Sequence, residues 1–169
     1  YSMQDEQKAA ASDFSVGYID FLNKAKTERE CVKELTAEAI KNGYVNFNDV
    51  ISGKIKFEPG LKVYWINREK ALMLAVLGSK SPVCGLNMVG AHVDAPRLDF
   101  RPDPLYEDHD MALVKTHYYG GIKKYQWLTL PLALHGVVVK KDGTKVNICI
   151  GERDEDPVVG ITDLLPHLG

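Results

Sequence analysis

A chain of 169 residues, 45% hydrophobic and 26% charged, has the composition of an ordinary globular protein. That length suits one well-buried domain or parts of two. A net charge of -2 leaves no electrostatic footprint for nucleic acid, and no stretch of about 18 apolar residues exists to span a bilayer.

Residues 5 to 26 read as an amphipathic helix, with Phe14, Tyr18, Phe21 and Leu22 recurring at helical spacing and expected in the core. Thr27-Glu28-Arg29-Glu30 is a capping box, a Thr with a Glu three residues later. It opens a second helix with Val32, Leu35, Ala39 and Ile40 on one face, stopped at Asn42-Gly43. After Pro59-Gly60 the pattern turns to strands. Val63 to Ile66 and Ala71 to Leu77 are joined by the polar turn Asn67-Arg68-Glu69-Lys70. Leu86 to Val93 is nearly all apolar and reads as a strand buried on both faces of a helix-covered sheet. Helices followed by such strands give an α/β layer.

Composition shifts again at Arg101-Pro102-Asp103-Pro104. Two prolines followed by Glu107-Asp108-His109-Asp110 predict a solvated linker between domains. Beyond it the elements are short strands. Val114 to Tyr119 stops at Gly120-Gly121, and Gly136 to Lys140 and Lys145 to Ile150 flank Asp142-Gly143, a strong hairpin signal. Asp154 to Pro157 is a loop, and Asp163 is placed to cap a final helix. The cysteines, Cys31, Cys84 and Cys149, are odd in number and far apart. They are expected to be buried and reduced, as in a cytosolic protein. The polar N-terminal segment lacks the apolar stretch of a secretory signal, and the opening at Tyr1 rather than Met places the native start upstream as an expectation.

The chemistry concentrates at Gly90-Ala91-His92-Val93-Asp94-Ala95-Pro96. In an extended chain, side chains two apart share a face, so His92 and Asp94 point the same way. One imidazole nitrogen can bind a metal while a carboxylate beside it fixes the ring's orientation and basicity. Small residues around the pair leave room for a ligand, and two ionisable groups at the end of an apolar run need partners. A hydrogen-bonded core histidine would account for the residues equally well. His109, His117 and His135 have no ligand spacing to another histidine and read as structural or exposed. His167, after Pro166, reads as a capping or surface histidine. The acidic group at residues 103 to 110 does not match an EF-hand loop. No glycine-rich nucleotide loop and no Gly-x-Ser-x-Gly elbow occurs.

The heptapeptide resembles the hallmark of the aspartyl aminopeptidase (aminopeptidase I) family of zinc exopeptidases. The likeness extends in order through Leu98-Asp99-Phe100-Arg101-Pro102, Tyr118-Tyr119-Gly120-Gly121, Leu134 to Val139 and Ile161 to Leu168. The wording between Thr116 and Trp127 is most similar to a bacterial branch. The resemblance implies a catalytic α/β domain, here residues 1–102, interrupted by an inserted β-rich dimerisation domain beginning at 103–169. It implies a pair of metal ions, usually zinc with cobalt or manganese as alternatives, which polarise the scissile carbonyl and activate a water.

By the same resemblance, His92 matches the first metal ligand and Asp94 the catalytic carboxylate that orients the site. His167 matches the histidine of the Leu-Pro-His-Leu segment that the family associates with zinc, and it is a candidate to act at a neighbouring subunit's active site. The implied enzyme is cytoplasmic, takes peptides as substrate, removes N-terminal residues with acidic ones as a candidate class, and forms homo-oligomers, either dimers or a larger shell. Family members run to several hundred residues, and their bridging aspartate, Glu-Glu pair and final histidine fall later than Gly169. The chain is therefore expected to be an N-terminal portion, inactive alone. A non-catalytic scaffold or interaction protein built on the same fold is the alternative.

Overall fold

The computed structural model describes residues 3–163. Its contacts form two compact units, with the division between Asp94 and Ala95. The first unit is α/β. Helix α1 (Asp5–Lys24) starts at a reciprocal cap between Gln4 and Gln7, with Asp5 and Glu6 in its first turn and Lys24 in its last. Those charges suit the partial charges of the helix ends. Its apolar stripe is not core: Phe14 is 76% exposed, Tyr18 and Leu22 are also exposed, and Phe21 is half-buried. Helical period identifies which residues share a face, but burial needs a second surface, and the packing of α1 is against α2.

Helix α2 (Glu28–Lys41) begins where the sequence places it. The Thr27 side chain accepts a hydrogen bond from the Glu30 backbone N–H, while Glu30 Oε2 accepts from the Thr27 N–H at 3.0 Å. Val32 and Ala39 face inward with Cys31, and α2 lies against a three-stranded sheet through β2 (Lys62–Asn67) and β3 (Ala71–Val76). Val63 on β2 completes the small core, and Val32 is 2% exposed. Burying such a side chain stabilises by about 2 kcal/mol. Ile40, read as part of the same face, is exposed.

The sheet order is β1-β2-β3. The short β1 (Val45–Asn46) runs parallel to β2, and β3 returns antiparallel with Val63 opposite Ala75. A single-turn helix, α3 (Phe47–Ile51), follows β1. The β2–β3 turn holds Arg68 and Glu69 at φ 50° and 62°, the twist-matched hairpin geometry normally given to glycine or asparagine. A reason lies in α2: Arg29 Nη1 donates to the Arg68 carbonyl at 3.2 Å and to Glu69 Oε2 at 2.7 Å.

Leu86 to Val93 does not form a strand. After a 3-10 turn at Pro82–Cys84 the chain runs without a ladder to Pro96, with Leu86 64%, Met88 81% and Val89 99% exposed. An apolar run becomes a doubly buried strand only when neighbours pair both its edges, and no described residue pairs with these.

The second unit is β-rich. The segment expected to be a linker is instead β4 (Arg97–Asp108), paired antiparallel with β5 (Met111–Tyr119). Pro102 and Pro104 sit where the register shifts between Phe100 and Leu105, and Asp103 has φ 49°. A bulge tolerates prolines because it leaves residues out of the ladder. The acidic group caps this hairpin, with His109 and Asp110 at φ 50° and 58° in its turn. The predicted second hairpin is present as β6 (Leu134–Val139) and β7 (Lys145–Ile150), with Gly143 at φ 84° in the turn. Residues 154–157 are loop, and the helix expected after Asp163 lies outside the described residues.

Candidate metal site

The heptapeptide straddles the boundary between the two units, His92 and Asp94 in the first and Ala95-Pro96 in the second. Gly85, at φ 107°, ends the 3-10 turn and releases the chain into the extended segment carrying His92. On the far side, Arg97 pairs with Tyr119 at the open end of the β4–β5 hairpin. Gly120 then turns at φ 72° with its backbone against Pro96, where an added Cβ would lie 3.5 Å from the Pro96 Cα. The positive φ favours glycine there, while an added Cβ would make only ordinary contact. Gly90 has no comparable demand: a Cβ would meet nothing within 4 Å.

His92 Nδ1 lies 2.9 Å from the Asp94 carbonyl oxygen and 3.1 Å from Asp94 Oδ1. A carbonyl and an ionised carboxylate only accept, so Nδ1–H donates to both. In the neutral ring this tautomer leaves the lone pair on Nε2, the arrangement that a metal-binding imidazole needs. The His92 side chain is 83% exposed, and that of Asp94 is 36% exposed. The two residues meet through a local bond inside the motif, without the sheet register that the strand reading supposed. Chemically the pair fits one ligand and its orienting carboxylate. Among the described residues, no group of three or more His, Cys, Asp and Glu side chains is placed to hold a metal.

His167 lies outside the described residues. The other histidines are apart from His92 in role. His109 Nδ1 is 2.9 Å from Asp108 Oδ1 at the exposed tip of the β4–β5 hairpin. His117 sits on β5 opposite Asp99. His135 on β6 is 13% exposed and binds Glu152 Oε1 at 2.9 Å. The sequence reading of these three as structural or exposed matches their places. It missed the His135–Glu152 pair, whose members are 17 residues apart and meet only because β6 and β7 are in register. It also missed Arg97, whose Nε donates to Asp99 Oδ1 at 2.8 Å while its guanidinium stacks 4.1 Å from the Tyr119 ring centre. Of the cysteines, Cys31 is buried and burial raises its thiol pKa, whereas Cys84 and Cys149 are exposed. The expectation of uniformly buried thiols is thus corrected.

Comparison with known proteins places the chain in a family. The family model described as aminopeptidase I zinc metalloprotease (M18) matches residues 21–169. A probable M18 family aminopeptidase 1 of Clostridium acetobutylicum is 51% identical over 165 residues, covering 96% of this chain and 36% of that relative. An aspartyl aminopeptidase of Caenorhabditis elegans is 29% identical over 164 residues, covering 96% of this chain and 33% of its own length. Among solved structures, aminopeptidase I from Borrelia burgdorferi superposes with a TM-score of 0.85 at 41% identity, over 97% of this chain and 40% of that one. This chain therefore spans a little over a third of the first of these relatives. The chain belongs to the M18 family of aminopeptidase I zinc metalloproteases.

Proposed function

We propose that this chain supplies the first corner of a metallo-aminopeptidase active site, with His92 as a metal ligand and Asp94 as the carboxylate that orients it. The observation carrying this reading is the Nδ1–H hydrogen bonding of His92 to Asp94, which directs the lone pair to Nε2. The family name supplies zinc as the metal. Two ions per site, and cobalt or manganese as alternatives, are part of the proposal. When bound, such ions polarise a scissile carbonyl and lower the pKa of a water. What this chain contributes is orientation: Asp94 holds the imidazole in one tautomer and one rotation, so its basic nitrogen is presented without rearrangement.

In this reading residues 1–102 belong to a catalytic domain and 103–169 begin a β-rich dimerisation domain. His167 serves the metal site, in its own subunit or a neighbour's. Peptides are the substrate, the N-terminal residue is released, and the relative named aspartyl aminopeptidase supports acidic residues as the class to test first. Homo-oligomers, as dimers or a larger shell, and a cytoplasmic location complete the proposal. No helix among the described residues is long and apolar enough to cross a membrane.

The test uses the complete product of the gene, assayed for bound zinc and for release of N-terminal residues from peptides. His92→Ala is expected to lower activity by more than about 100-fold, and Asp94→Asn by about 10- to 100-fold, the range for losing a ligand's hydrogen-bond partner. Bound zinc should fall in both variants. Unchanged activity in His92→Ala would overturn its role. Absence of peptidase activity from the zinc-loaded wild type would favour the scaffold alternative.

A further inference from the structure

We draw no further inference here: the strongest candidate, the uncharged outer edge of β3 with the unladdered apolar segment Leu86–Val89, is an unpartnered apolar surface, and nothing in the structure shows what covers it.

Discussion

At the scale of single residues, exposure decides what each apolar or charged side chain is worth. Val32 and Phe14 both lie on apolar helix faces, yet Val32 is 2% and Phe14 76% exposed. Val32→Ala is therefore expected to cost about 2 kcal/mol, from two lost methyl groups plus the cavity they leave. Phe14→Ala should change stability by less than about 0.5 kcal/mol. Denaturant unfolding of the 169-residue chain would compare them, and equal costs would refute the burial pattern. Asp156 shows how a covered charge is handled, its side chain being 6% exposed. Arg153 Nη2 and Nε donate to Oδ1 at 2.8 and 3.1 Å, and the Gly151 N–H donates to Oδ2 at 2.9 Å. These bonds, that of the Arg153 side chain foremost, favour the ionised form and hold the carboxyl at about 2. Because the folded pKa is depressed, the loop's stabilisation is complete above the ordinary carboxylate value and is lost as pH falls toward about 2. Titration of the Asp156 carboxyl carbon by NMR should give a midpoint near 2, and a midpoint at 3.8 or above would contradict the geometry.

Among elements, those with local signals formed as read. The Thr27–Glu30 box and the Asp142-Gly143 turn each depend on residues no more than four apart in sequence. Such interactions close without help from the rest of the chain, so they are legible in one dimension. Thr27→Ala should cost about 1 kcal/mol and lower the thermal midpoint by about 3 °C, while Thr27→Ser should be nearly neutral because it keeps the oxygen. A loss as large in Thr27→Ser would show that the hydroxyl cap is not the cause. Where a distant pairing overrode a local signal the reading failed. Pro102 and Pro104 signalled a linker, but a bulge in β4 accommodates both, and that bulge exists only because β5 pairs on either side of it.

For the whole molecule, large apolar side chains stand open among the described residues, such as Val83 at 95% and Val89 at 99% exposed. The 169-residue chain is therefore expected to bind an environment-sensitive apolar dye. Brief trypsin treatment should cut first after Lys80, which lies in the exposed stretch before the 3-10 turn and outside any ladder. Mapping the products by mass would check this, and early cleavage confined to other sites would count against the unladdered segment.

The contact between His92 and Asp94, the capped helix α2 and the Asp142-Gly143 turn were determined by the sequence itself, because their bonds join near neighbours. So was family membership, since an ordered set of short motifs needs no third dimension. Only the tertiary structure decided that Leu86–Val93 forms no ladder, that the α1 stripe faces outward, and that His135 meets Glu152. Each of those outcomes depends on what lies across from a residue, and a partner many positions away leaves no periodic trace in the sequence.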